Sequence, residues 1–206
     1  AGRHLLNYDN RWNNRDAAMF LEAVRYLAQR ARIDIETESD FHKSSAWAER
    51  QLVQRLHEAL LNTPAALEYD TQTRGWHLAT IKAARLGFMP QDKRKLLADL
   101  NLPEKWRGVI ARFPAGMIVY VHLERGRLGY LSGRSIEGKQ HYNPPRDLLG
   151  ERRPYANHLY TPDADQVVLV EGQADAISFG EWGFPALAIA GMYVADDLLT
   201  ALRKHR

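Results

Sequence analysis

The chain contains no cysteine. That absence excludes disulfides and thiolate metal sites, and nothing in the sequence points to secretion. It also lacks a signal peptide and any run of about 18 apolar residues, so a helical membrane span is excluded and a cytoplasmic protein is expected. Eight histidines are present, but none has the spacing of metal ligands or a cysteine beside it, so no zinc site is expected within the chain. A phosphate-binding P-loop is missing too. Gly133 to Gln140 comes near to one, but Gln140 stands where Ser or Thr would hold Mg²⁺. Asn143-Pro144-Pro145 then forbids the helix that would cradle phosphates. The last absence is local: residues 161–200 hold no lysine or arginine, yet carry seven acidic residues, Asp163, Asp165, Glu171, Asp175, Glu181, Asp196 and Asp197.

What is present is ordinary in bulk and uneven in detail. With 206 residues, 45% hydrophobic and 26% charged, the chain suffices for one or two domains with a real core. Net charge is only +3. Residues 101–153, however, hold ten basic groups (Lys105, Arg107, Arg112, Arg125, Arg127, Arg134, Lys139, Arg146, Arg152, Arg153) against five acidic ones. A basic segment followed by an acidic one suits a substrate with a phosphate backbone and a divalent cation.

The acidic segment also carries the clearest structural pattern. Val167 to Val170 is an unbroken apolar run, expected as a strand buried on both faces. Glu171-Gly172 follows as a turn, a helix is expected from Asp175, and Pro185 opens a second apolar run, Ala186 to Ala190. Strand, turn, helix, strand builds a parallel sheet, whose chemistry lies beyond the carboxyl ends of its strands, where Glu171 falls. Carboxylates without counter-charges can hold a hard cation, since Mg²⁺ takes one or two of them plus waters and phosphate oxygens. A solvated acidic face, with Asp175 favoured by the helix dipole, is the other reading of the same residues.

The remainder is helical, then mixed. Ala17 to Ala31 shows one apolar helical face behind a cap at Asn14, and a second helix is expected from about Ser45, with Ala48, Leu52, Leu56, Ala59 and Leu60 on one side. Thr63-Pro64 begins a third that ends at Gly75, a fourth spans about His77 to Leu86 and stops at Gly87, and Asp92 opens another carrying Leu96, Leu97 and Leu100. Met117–Val121 and Leu128–Leu131 around Glu124-Arg125-Gly126-Arg127 read as a hairpin.

The motif V-E-G-Q-A-D-A-I followed by A-I-A-G resembles the opening half of a Toprim domain, shared by topoisomerases, primases and some nucleases. The segment around F-L-E-A-V-R-Y-L-A-Q-R-A-R-I is similar to the region after the zinc-binding domain of bacterial replicative DNA primases. R-G-W-H-L-A-T-I-K-A-A-R-L-G-F, the hairpin with L-S-G-R, then H-Y-N-P-P and N-H-L-Y, resemble that family's catalytic core in the same order. The resemblance implies an α/β protein, with an α+β N-terminal subdomain followed by a partial Toprim sheet. It divides the chain into a helical linker region (1–62) after a zinc-binding domain not in this sequence, a basic subdomain (63–160) and a Toprim part (161–206).

The implied activity is synthesis of RNA primers from ribonucleoside triphosphates on single-stranded DNA, with Mg²⁺ or Mn²⁺ and a replicative helicase as partner. Glu171 is implied as general acid/base and metal ligand, with Asp175 supporting it. Arg134, Lys139, His141 and Arg146 are implied as nucleic-acid-binding. The family's second metal pair, D-x-D, would fall beyond Arg206, so the chain is expected to be a piece of a longer protein and inactive by itself. Adjacent Asp196-Asp197 do not replace that pair. For Arg134, an ordinary solvated arginine is the competing reading. For the whole chain, the alternatives are a topoisomerase- or nuclease-like Toprim enzyme and a non-catalytic nucleic-acid-binding module.

Overall fold

The computed structural model describes Tyr26, Arg30, residues 44–124 and 126–189, and Leu202. The helix expected over Ala17–Ala31, Arg125, and Asp196-Asp197 lie outside the described residues. The chain divides into two units, Ala1–His42 and Lys43–Arg206, and everything below concerns the second.

Helix α1 runs from Ser45 to Leu61, capped by Ser44, whose hydroxyl accepts from Trp47 N at 3.2 Å as a good N-cap does. Helix α2 (Pro64–Glu68) has Pro64 at its first position and continues into a π-helical turn, Tyr69–Thr73. Thr63 occupies the cap position, but its hydroxyl donates back to Ala59 O at 2.7 Å. Gly75, at φ 73°, ends the segment as expected, because that conformation carries little penalty only without a Cβ. Helix α3 (Leu78–Ala83) stops short of Leu86. Gly87 is not its stop but the first residue of strand β1 (Gly87–Met89). Helix α4 is one turn, Arg94–Leu97, ended before Leu100 by extended Ala98 and by Asp99 at φ 56°. Asp92, one residue before the cap position, accepts from Arg94 N at 3.1 Å. Helix α5 (Glu104–Arg112) is not among the expected elements; it starts behind Pro103 and buries Trp106, Val109 and Ile110.

The expected hairpin is present as β2 (Met117–Glu124) and β3 (Arg127–Ser135). Strand β4 (His141–Tyr142) completes an antiparallel sheet of order β1-β2-β3-β4, and the short helix α6 (Arg146–Leu149) follows. Residues 117–122 are all buried, because this sheet has a core on each face. Met117, Val119 and Val121 pack with Leu52, Leu56, Trp106, Val109 and Ile110. Ile118 and Tyr120 pack with Trp76, Ile81, Tyr155, Ala176 and Ile177 on the other side.

That second core joins the sheet to the expected parallel unit. Strand β5 (Tyr155–Ala156), β6 (Val168–Val170), helix α7 (Gln173–Glu181) and β7 (Ala186–Ala188) follow in order. β6 and β7 pair in parallel, Val168 with Ala186 and Val170 with Ala188, and β5 joins β7 antiparallel in the order β5-β7-β6. Two expectations need correction. Strand β6 is not buried on both faces: among the described residues it is an edge strand, Val168 and Val170 are half-buried, and Leu169 is 45% exposed. The apolar run there marks pairing and one covered face rather than a central position. Helix α7 begins at Gln173, not Asp175, because extended Gly172 already supplies the carbonyl that accepts from Ala176 N at 3.1 Å.

Helix α1 and strand β1 approach each other closely at Gly87. A Cβ there would lie 2.8 Å from Leu56 Cβ and 3.2 Å from Leu56 C. Gly87→Ala must therefore push β1 off α1 and is expected to cost about 1–3 kcal/mol, as overpacked core sites do. Urea unfolding would check this, and an unchanged midpoint would show that the contact yields freely.

Candidate nucleic-acid interface

The π-helical turn and strand β3 build one cluster. In the turn, Arg74 N reaches Tyr69 O at 3.0 Å, and the extra residue of a π turn re-aims side chains, a geometry frequent at functional sites. Arg74 Nε donates to the Tyr69 hydroxyl at 3.0 Å and Arg134 Nε to the same oxygen at 3.1 Å. The Arg74 guanidinium also lies 5.3 Å from the Tyr69 ring centre and 5.9 Å from that of Trp76, in cation–π range. Arg134 is paired across the strands with His141, and its Nη1 donates to His141 Nε2 at 2.9 Å. His141 therefore accepts as a neutral imidazole, consistent with a pKa held below the ordinary value by burial and by Arg134 and Arg74. Beneath them Asp70 is fully buried, and neither carboxylate oxygen has a hydrogen-bond partner. Burial pushes its pKa up to about 7, opposed by the nearby Arg74 charge.

Of the four basic residues singled out in the sequence, Arg134 and His141 are together. Lys139 is exposed in the turn between β3 and β4. Arg146 begins α6 and is ion-paired with Glu151 at 3.0 Å, away from that contact. Arg74, Tyr69 and Asp70 were not expected. The R-G-W run held the only signal for Arg74, and nothing local ties it to a residue sixty positions on.

The acidic candidates sit where β6 hands over to α7. Glu171 is exposed in the bend after the strand, and Asp175 is exposed in the first helical turn. A Cβ on Gly172 would lie 3.2 Å from Asp175 Oδ2, so the carboxylate rests over the glycine next to Glu171. Among the described residues no group of three or more His, Cys, Asp or Glu could hold a metal. Two hard carboxylates nevertheless fit the sparse protein share of an Mg²⁺ shell. Several contacts fasten this helix to the rest, among them Trp76 Nε1 donating to Ser178 Oγ at 3.0 Å, Asn157 Nδ2 donating to Ala176 O at 2.9 Å, and Glu181 taking both the backbone N–H and the ring of His77.

A four-stranded antiparallel sheet with helices on one face, and a smaller sheet with a parallel β-α-β unit on the other, defines the architecture. Solved primase structures share it. The chain matches the zinc-binding and RNA polymerase domains of Aquifex aeolicus primase with a TM-score of 0.65 at 21% identity, over 90% of this chain and 51% of that one. It matches the E. coli primase catalytic core at 0.61 and 19% identity, over 78% and 59%. It matches the RNA polymerase domain of Mycobacterium tuberculosis primase DnaG, solved with a double-stranded DNA oligomer with a 6-nucleotide overhang, at 0.62 and 20%, over 78% and 58%. The chain thus has the fold of the DnaG primase catalytic core and spans a little over half the length of these proteins. No protein-family profile and no curated protein matches the sequence. Among the described residues no helix is long and apolar enough to cross a membrane.

Proposed function

We propose that this chain forms the template-binding part and the first acidic edge of a primer-synthesising DNA primase, working in the cytoplasm beside a replicative helicase. The observation that carries the reading is the pair of guanidiniums, Arg74 and Arg134, gathered on one phenol oxygen in a DnaG-like fold. In this reading residues 63–160 hold the phosphates of single-stranded DNA and of the growing RNA, and residues 161–206 begin the Toprim sheet. Arg134, Arg74, Lys139, His141 and Arg146 bind backbone oxygens and so position the strand without reading its sequence. Glu171 moves the proton of the attacking 3′-hydroxyl or holds the cation, and Asp175 supports it. Mg²⁺ or Mn²⁺, when bound, would stabilise charge on the phosphate oxygens of the ribonucleoside triphosphate.

Fluorescence anisotropy with labelled single-stranded oligonucleotides tests the basic half. Three phosphate contacts would lower the affinity roughly twentyfold between 50 and 200 mM salt, from the slope of about −0.7 per contact. Arg134→Ala should weaken binding equally for unrelated sequences and reduce that slope by about one contact's share. An affinity indifferent to salt, or a variant whose loss depends on sequence, would overturn the phosphate-binding role.

A further inference from the structure

Gln173 lies between the two acidic candidates, two residues after Glu171 and two before Asp175, and its side chain is buried rather than in the acidic bend. Its Nε2 donates to Ser132 Oγ at 3.1 Å. Ser132 is buried on β3, two residues before Arg134 and on the same face of the sheet, since Ser132 opposes Tyr120 and Arg134 opposes Ile118. The chain continues. Ser132 Oγ meets His122 Nε2 at 2.9 Å, and His122 Nδ1 meets Pro154 O at 3.1 Å.

Every proton in this chain is assigned by the partners. A carbonyl only accepts, so Pro154 O fixes the hydrogen of His122 on Nδ1. Nε2 must then accept, and the hydrogen comes from the Ser132 hydroxyl. The serine oxygen is left to accept from Gln173. Burial holds His122 neutral, with its pKa pushed down to about 4, so the arrangement persists at any pH where the protein would work. One directed run of hydrogen bonds therefore ties the first turn of α7 to β3, β2 and the segment entering β5.

We propose that Gln173, through Ser132 and His122, is a positioning residue that sets the spacing between the Glu171–Asp175 edge and Arg134. The acid and the phosphate-binding arginine each stand two residues from the two ends of the same buried hydrogen bond. Two adjacent same-face positions on a strand are about 7 Å apart, so Arg134 stands one such step along β3 from the acceptor of the bond, as Glu171 stands two residues along the chain from its donor. Ala176 O in the first turn of α7 also accepts from Asn157 Nδ2 at 2.9 Å, and the Trp76–Ser178 and His77–Glu181 contacts hold its other end, so loss of the Gln173 bond releases the leading residue of the helix from β3 rather than the helix itself. The inference rests on the function proposed above.

The test uses the full chain with Gln173→Met, which keeps length and removes the donor, Ser132→Ala, and both together. Three quantities are measured: binding of a fluorescent ribonucleoside triphosphate with Mn²⁺, binding of single-stranded DNA without divalent ions, and the ring ¹⁵N shifts of His122. Wild type should show the Nδ1–H tautomer. Each single variant should lose about tenfold in Mn²⁺-dependent nucleotide affinity, the order one buried hydrogen bond commands in an equilibrium, and the double variant no more than either. Metal-free DNA binding should stay within twofold. If wild type binds nucleotide with Mn²⁺ and Ser132→Ala, with altered His122 shifts, binds it equally well, the positioning role is wrong while the functional reading survives. Additive losses in the double variant would also overturn it. If wild type shows no Mn²⁺-dependent nucleotide binding, the Glu171–Asp175 edge does not hold the cation and the proposal falls, while the salt dependence of single-stranded DNA binding still decides the functional reading.

Discussion

Replacing Trp106 by alanine is expected to lower the unfolding free energy by about 4–5 kcal/mol, the upper end for a buried aromatic truncated to Ala. Trp106 is fully buried among Ala48, Leu52, Val109 and Leu131, so little around it can collapse into the space. It also has a polar duty. Its Nε1 donates to Glu49 Oε1 at 3.2 Å, while Glu49 Oε2 takes Arg127 Nε at 2.9 Å. Glu49 is itself 5% exposed, and losing a donor to a buried carboxylate adds about 1–3 kcal/mol. Trp106→Phe separates the two costs: most of the ring stays, the donor goes, and only the smaller loss should appear. Denaturant unfolding of both variants measures this. A Trp106→Ala loss under about 2 kcal/mol would mean that the core between α1, α5 and the sheet is not tightly filled.

The second large effect is a gain. Asp70→Asn should stabilise the protein by up to about 4 kcal/mol at pH 8 and scarcely at all at pH 4. The carboxyl titrates at about 7 in the folded protein against an ordinary 3.8, because burial disfavours its charge more than Arg74 favours it. Between those values the folded state keeps a proton that the unfolded state has lost. Stability is then full below about pH 4, declines as pH rises toward 7, and levels off above it. Three pH units at about 1.4 kcal/mol each give the size of the loss. The amide keeps the shape of the neutral acid and cannot ionise, so the variant should lack this slope. Thermal or urea melts from pH 4 to 8 decide the matter. Parallel curves for the two proteins would show that Asp70 finds a partner for its charge.

The parallel β6-α7-β7 unit was legible because an apolar run, a turn carrying an acid and a second apolar run have few other ways to pack. The hairpin was legible because two short apolar, β-prone runs flank a charged turn with Gly126. Strand β1 was not: three residues are too few for a period, and Gly87 reads as a helix stop when its smallness in fact serves Leu56. Helix α5 was hidden because Pro103 and Gly108 interrupt a pattern whose anchors are only Trp106, Val109 and Ile110. Within the site, Glu171, Asp175 and Arg134 were visible through motifs. Asp70 was not, since an aspartate in E-Y-D-T-Q-T looks solvated and only the fold buries it. The meeting of Arg74 with Arg134 depends on a π-helical turn and a strand far apart in sequence, which no local spacing records.

The shared acceptor at Tyr69 bears on the entropy of association. Arginine side chains are among the most flexible, and fixing one on binding costs about 0.5–1.5 kcal/mol. With both Nε groups already donating to one phenol oxygen, that ordering is incurred when the protein folds. Under the proposed function, an arriving phosphate would meet two forks whose freedom is largely gone, and the affinity reserved in this way would be about fivefold to a hundredfold. Tyr69 would then strengthen capture of an anion without touching it, as a hinge pin governs a door.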